Sequence, residues 1–320
     1  YCFARDSLSR GEEGAAFISM EAFERRLDFL DRSGVEQVRL IGGEPTLHPR
    51  FTELVSRAQA RGKPVVIFTH GGMPASALAC LESLPAAGCA VVVNMNAAAG
   101  GQREELLHQR QEETLRRLGI RAIPGYTIVH PGFSLDRILD LIERTGCRRS
   151  IRLGLAHPVL SGENRSLAPS RYRAVGQRIA GYAGRVTRAG VALELDCGCV
   201  PCMFTPGELR QIKASGADTG WHCSPVLDID LNERVLHCFS TAGWVDLSQQ
   251  GLWSDSTALR VAMKAWAAPY RAIGMYSECS SCPQHAAGRC PGGCLAETLR
   301  RFQPAGAFEQ RPVDGSDWMS

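Results

Sequence analysis

The stretch RLIGGEPTLHP, residues 39–49, ends an apolar run in two glycines, an acid and a proline. Gly42 and Gly43 remove side chains where a ligand can approach the backbone, and Pro45 stiffens the exit. Glu44 sets one carboxylate beside them. At the carboxyl end of a sheet, such a turn suits a small molecule bearing an amine, which Glu44 and exposed carbonyls would accept. The same letters also fit a plain strand-to-helix turn with a solvated acid, so the surroundings must decide.

Working outward, strands and helices alternate. Ser19 predicts the cap of a helix in which Met20, Phe23, Leu27 and Leu30 recur at helical spacing, and Gly34 stops it. Strands are predicted over 36–41, 63–72, 88–96, 121–130, 150–158 and 190–196, with helices over about 50–60, 103–118, 135–143 and 170–189 between them. Apolar strands buried on both faces with amphipathic helices between them imply a parallel sheet, curled or closed as a barrel. The strand ends GGEP, THGG, NMN, HPVL and DCGC then form one active face. After Asp196 the pattern changes to short strands, frequent glycines and clustered cysteines. That reads as a small, loop-rich module in which bound metal replaces a core.

A chain of 320 residues, 44% hydrophobic and 22% charged, can bury a large core. Its net charge of +3 is small and dispersed, which argues against nucleic acid. Apolar runs are strand-sized, so no membrane partner is expected. No secretory signal is read at Tyr1, and a cytoplasmic location is expected. With no such signal and 13 cysteines, an odd total, metal or iron–sulfur ligation is favoured over a disulfide framework.

Nine of those cysteines lie from Cys197 onward: Cys197, Cys199, Cys202, Cys223, Cys238, Cys279, Cys282, Cys290 and Cys294. Cys279-x2-Cys282 presents two sulfurs from one tight turn, and Gly292-Gly293 lets the chain fold back to deliver Cys294. Zinc would use the same geometry, so spacing leaves the metal open. Cys223 and Cys238 flank a hairpin, SPVLDIDLNERVLH, with its turn near Asn232; folding it brings both sulfurs to one end. Cys80, Cys89 and Cys147 read as small buried residues. His222 and His237 adjoin ligand candidates and read as hydrogen-bonding neighbours. Trp221, Trp244, Trp253 and Trp266 read as core or groove residues, and Arg148 and Arg149 as a solvated face.

Tyr1-Cys2-Phe3, a strand–helix barrel and GGEPTLHP together resemble the radical S-adenosylmethionine (SAM) enzymes. In that family three cysteines spaced C-x3-C-x2-C hold a 4Fe–4S cluster, and Cys2 matches the last of them. GGEP resembles the turn that receives the methionine amino group, which assigns Gly42, Gly43, Glu44 and Pro45 to the cofactor. VVIFTHGG resembles the strand that often ends Thr-Asn-Gly, with Thr69 in place and His70 replacing the asparagine. By alignment with the next strand, Asn94 and Asn96 approach the cofactor's sugar or carboxylate. Arg152 is a further candidate for that carboxylate. The two upstream cysteines and the strand before them are absent, so the chain as written is read as truncated and inactive.

The carboxyl half resembles the SPASM extension of this family, or its smaller twitch relative. By that resemblance Cys223, Cys238 and Cys294 share one auxiliary cluster with Cys202 as fourth ligand, and Cys279, Cys282 and Cys290 form a second. The fourth ligand of the second is a non-cysteine group, Cys197 or Cys199, or else that cluster is missing. A single twitch-type cluster on Cys223, Cys238, Cys279 and Cys282 is the alternative. The implied architecture is α/β, a partial (β/α)6 radical SAM barrel over residues 1–196. An iron–sulfur module over 197–299 and a polar tail over 300–320 follow it.

The resemblance implies a 5′-deoxyadenosyl radical that abstracts hydrogen, one radical SAM cluster with one or two auxiliary 4Fe–4S clusters, and SAM itself. It also implies a peptide or protein substrate and a reducing donor such as flavodoxin or ferredoxin. A small-molecule radical dehydrogenase, and a non-catalytic iron–sulfur or zinc protein, are the competing readings. No catalytic acid or base is singled out.

Overall fold

The structure, a computed structural model, describes residues 17–96, 101–160, 165–242, 244 and 255–302. Helix α1 (Met20–Arg32) begins at Ser19, whose Oγ accepts from the Ala22 amide at 3.1 Å. That side chain satisfies one of the amides a helix start leaves unpaired. Then follow β1 (Val38–Leu40), α2 (Phe51–Ala60), β2 (Val65–Thr69), α3 (Ala75–Ser83) and β3 (Cys89–Asn94). Helix α4 (Gly101–Leu118), β4 (Ala122–Ile128), α5 (Asp136–Thr145), β5 (Ser150–Leu155), α6 (Tyr172–Arg188) and β6 (Ala192–Leu195) complete the alternation. All six strands pair parallel in the order β1-β2-β3-β4-β5-β6. Helix α5 stops where Gly146 turns left-handed at φ 67°.

The predicted burial on both strand faces holds in the central strands β3 and β4, where Val92 and Val93, and Ala122 and Ile123, are all buried, and fails in β2, β5 and β6. Val65, Ile67, Val91, Val93, Ile151, Leu153 and Leu193 lie under the helices, each fully buried. The opposite face of β2 carries the half-buried Val66 and Phe68, and that of β5 and β6 the half-buried Arg152, Gly154 and Glu194. Polar and small residues leave that face open to occupancy. This face positions the site.

The carboxyl half holds more helix than its composition suggested. Helix α7 (Pro206–Ala214) starts in a capping box between Thr205 and Glu208. A short antiparallel hairpin, β7 (Asp228–Ile229) with β8 (Val235–Leu236), turns through Glu233 at φ 61°. Helix α8 (Ser256–Ile273) follows, then α9 (Pro283–Ala286) and α10 (Leu295–Arg300). The expected loop-rich module therefore contains an 18-residue helix with a buried seam at Leu259, Met263 and Ala267.

This half packs on both ends of the sheet. At the β1 end, Phe29 of α1 forms a cluster with Val235, Leu259 and Met263, and the Ser256 amide donates to Ser33 Oγ at 2.9 Å. Burying each such side chain stabilises by about 1.5–3 kcal/mol. The exposed Arg25–Glu233 ion pair beside it contributes only about 0–1 kcal/mol. At the β6 end, Val200, Met203, Phe204, Ile212, Met275 and Cys290 join the same core as the sheet. A Cβ on Gly176 of α6 would collide with the Met203 carbonyl, so that close approach requires glycine. Among the described residues no helix is long and apolar enough to cross a membrane.

Candidate functional site

The turn after β1 is braced by its carboxylate. Glu44 Oε1 accepts from Thr46 Oγ1 (2.6 Å) and the Thr46 amide (3.3 Å). Its Oε2 accepts from Thr69 Oγ1 (2.8 Å) and the His70 amide (3.0 Å), with His70 Nε2 at 3.3 Å. The Glu44 side chain is only 4% exposed. One acid thus ties the end of β1 to the end of β2, and its charge is met by oriented donors. This answers what a lone carboxylate does in a bare turn: it shapes the turn, with both oxygens already engaged by the chain. Gly42 shows the complementary feature. A Cβ there would touch nothing within 4 Å, and its φ is not left-handed, so neither packing nor backbone strain accounts for glycine. The space belongs to no described part of the chain.

The neighbouring strand ends are held from behind. Thr69 Oγ1 also accepts from the Gly71 amide at 3.0 Å. Gln111 of α4, fully buried, donates to the carbonyls of Asn94 (2.9 Å) and His70 (3.2 Å), and Thr114 Oγ1 donates to that of Gly71 (3.0 Å). These two supports escaped the sequence reading; their one signal is a pair of polar residues three apart on the helix face that also carries Leu115 and Leu118. Asn96 does not face outward with a free amide. Its Nδ2 donates to the Thr127 carbonyl (2.8 Å) and its Oδ1 accepts from the Thr127 amide (2.8 Å), extending the β3–β4 pairing beyond Asn94. Asn94 Oδ1 accepts from the Asn96 amide at 3.0 Å.

Register places Asn94, Gly125, Arg152 and Glu194 side by side across β3 to β6. Arg152 pairs with Asp196 at 2.7 Å and lies over the Phe68 ring, 5.0 Å from its centroid. The open face therefore presents a fixed cation, two acids and an aromatic ring. That combination can orient a polar, amide-bearing molecule.

The cysteines separate into two sets. Cys238 feels the charge of Cys223 and Cys294, Cys294 feels Cys223, and Cys197 feels Cys223. Cys202 instead feels Cys290, Cys279 and Cys282, and Cys290 feels Cys279 and Cys282. Electrostatically, Cys202 thus neighbours the loop cysteines rather than the expected Cys223, Cys238 and Cys294, and Cys197 neighbours Cys223. Gly198 at φ 87° turns the chain between them, and the Pro201–Met203 turn carries Cys202 away. Cys199 is buried in the main core, which also takes in Cys290 of the loop set.

Burial governs the thiols. It pushes Cys197 up to about 12, partly relieved by a hydrogen bond from His157. Cys202 is exposed as a residue, yet desolvation at its sulfur pushes the thiol up to about 11, with Cys290 and Cys279 adding to the rise. Burial raises Cys238 and Cys294 further, and Cys223 adds its charge to both. All twelve described cysteines are free of disulfides. Among the described residues no three His, Cys, Asp or Glu side chains converge on a position for one ion. Zinc needs four ligands converging at about 2.0–2.3 Å from one centre. A four-iron cluster gives each thiolate its own iron and suits a wider ring of sulfurs. In residue type and number, four cysteines are what a four-iron cluster takes. Cys2 and Trp253 lie outside the described residues.

Cys89 and Cys147 are buried and Cys80 half-buried, as expected of packing residues. His222 is exposed. His237 is buried, its ring against Trp266.

Residues 1–144 match the family described as the radical SAM superfamily. None of the curated proteins matches the chain. Among solved structures, the chain is similar to Streptococcus suis SuiB bound to precursor peptide SuiA: 15% identity, TM-score 0.65, covering 98% of this chain and 71% of that one. It is also similar to Streptococcus suis SuiB bound to S-adenosylmethionine: 15% identity, TM-score 0.62, covering 95% and 72%. A third SuiB structure gives 12% identity and a TM-score of 0.55, covering 91% and 70%. The likeness shows a shared fold.

Proposed function

We propose that this chain, whose residues 1–144 match the radical SAM superfamily and whose fold is that of SuiB, is a radical SAM enzyme that modifies a peptide. The observation that carries the reading is the space beside Gly42, at the carboxyl end of the sheet, in a turn that Glu44 holds to β2. When bound, SAM and a 4Fe–4S cluster held in part by Cys2 would supply a 5′-deoxyadenosyl radical that takes hydrogen from an unactivated carbon.

The chain's own residues bind and orient. The turn Gly42–Pro45 receives the methionine end of SAM through its main chain, while Glu44 keeps the turn in shape. Thr69, Asn94 and Asn96 fix the strand ends that would hold the adenosyl part. Arg152, paired with Asp196, offers its remaining N–H groups to a carboxylate or a peptide carbonyl. Helices on the outer face and the carboxyl half keep water from the reacting carbon. Cys197, Cys223, Cys238 and Cys294 would hold one auxiliary cluster, and Cys202, Cys279, Cys282 and Cys290 a second. A ferredoxin- or flavodoxin-type protein supplies electrons. A peptide substrate is favoured by the fold shared with a protein solved with its precursor peptide, and by an open face rich in hydrogen-bonding side chains.

The test uses anaerobically reconstituted protein, including whatever residues its gene encodes before Tyr1. Dithionite, SAM and a short peptide encoded beside the gene should give 5′-deoxyadenosine and a mass change in the peptide. Gly42→Val should abolish SAM binding in equilibrium dialysis while iron content is kept. A protein with full iron that binds no SAM would overturn the reading.

A further inference from the structure

Arg271, in the last turn of α8, holds two cysteine-bearing segments at once. Its Nη2 donates to the Cys223 carbonyl (2.8 Å) and to Cys223 Sγ (2.7 Å). Its Nη1 donates to the Gly293 carbonyl (2.8 Å), and more weakly to that of Pro291 (3.4 Å). Gly293 precedes Cys294, so one guanidinium bridges Cys223 and Cys294. Among the described residues no carboxylate pairs with Arg271. Carbonyls orient the group without neutralising it. The sulfur of Cys223 is the one group in its contact shell that can carry a full negative charge.

We infer that Arg271 is a positioning residue that raises the reduction potential of the auxiliary cluster held by Cys197, Cys223, Cys238 and Cys294. The inference rests on the function proposed above. A cluster gains negative charge on reduction. A permanent cation that donates N–H to one of its sulfurs favours the reduced form in a medium of low dielectric. The step is the arrival of one electron; no bond changes, and Arg271 keeps its protons in both states. The other set has no such cation among its described hydrogen bonds. There the Cys290 sulfur is met by the amides of Gly292 and Gly293. The two clusters should therefore titrate apart, with the Arg271 cluster at the higher potential.

Full-length protein, reconstituted anaerobically, is titrated with dithionite and followed by electron paramagnetic resonance. Cys238→Ala identifies the signal belonging to this set. In Arg271→Gln that signal should shift down by at least tenfold in reduced-to-oxidised ratio at fixed potential, about 59 mV for one electron. The other signals should stay in place. Arg271→Lys, which keeps the charge but loses the fork, should fall between. If Arg271→Gln loses iron, Arg271→Lys is read alone, and an unmoved midpoint there overturns the inference. An intact cluster with an unmoved midpoint in Arg271→Gln overturns the role of Arg271 alone. Failure of the unsubstituted chain to assemble a cluster on these cysteines overturns the auxiliary-cluster assignment as well.

Discussion

The two cysteine sets differ in how far they are enclosed. Cys294 lies at 4% exposure among Leu160, Ala267, Leu295, Ala296 and Leu299, with Trp244, Trp266 and Tyr270 closing the shell. In the loop set, Cys202 is exposed and Cys279 and Cys282 are half-buried, with Cys290 beneath them at 9%. Pro283, Gln284, Ala287 and Arg289 around that set are exposed. Cys197, Cys223 and Cys238 are half-buried, so the hairpin set is the more enclosed of the two and carries a cation, while the loop set reaches the surface at Cys202. Solvent and hydrogen bonding tune iron–sulfur clusters, so clusters held by the two sets would differ in potential.

The largest test of this division is an iron count. Cys294→Ala and Cys290→Ala should each cost about four irons, and the double variant about eight. Elemental analysis with sulfide determination reads this; loss of the same irons in both single variants would merge the two sets. Gly274→Ala probes one set without touching a ligand. Gly274 has φ 70°, and an added Cβ would stand 2.5 Å from Cys279 Cβ and 2.7 Å from its Sγ. It should therefore displace Cys279, remove the irons of the loop set and leave those of the hairpin set, with a stability loss of about 1–3 kcal/mol. Equal loss from both sets, again by elemental analysis, would break the comparison.

Chelator challenge separates the sets by rate. In Cys294→Ala, which retains only the loop set, visible absorption should bleach about tenfold faster than in Cys290→Ala, which retains the more enclosed one. That ratio corresponds to about 1.4 kcal/mol in the opening barrier. Smallest of all, Arg25→Ala removes the exposed ion pair to Glu233 of the hairpin turn and should change stability by less than about 1 kcal/mol in a thermal melt. Phe29→Ala, at the apolar seat of the same hairpin, should cost about 3–5 kcal/mol. The reverse order would mean that charge holds the hairpin.

Local rules made much of this legible. Ser19 marks its helix because a hydroxyl accepts a free amide, and the apolar strands mark themselves by run length between glycines. The GGEP turn and the loop cysteine spacing also stand out, since both need fixed residue types at short range. What could not be read depends on the return of distant segments. Cys197 and Cys202 are five residues apart, yet Gly198 and Pro201 send them to different sets. Helix α8 hid because alanines and an internal Pro269 blur its apolar stripe. Glu44 looked like a ligand because its partners, Thr69 and His70, are 25 and 26 residues away. Arg271 has no spacing signal at all; its partners are a thiol 48 residues before it and a carbonyl 22 residues after.

The carboxyl half grips α1 beside β1 through Phe29 and Ser33, and α6 beside β6 through Gly176 and Arg173. The described residues of the carboxyl half thus touch both outer ends of the sheet and bridge them, tying the ends to one another. Lengthening that bridge by insertion would let the outer strands move apart and widen the open face of the sheet. The bridge is a caliper.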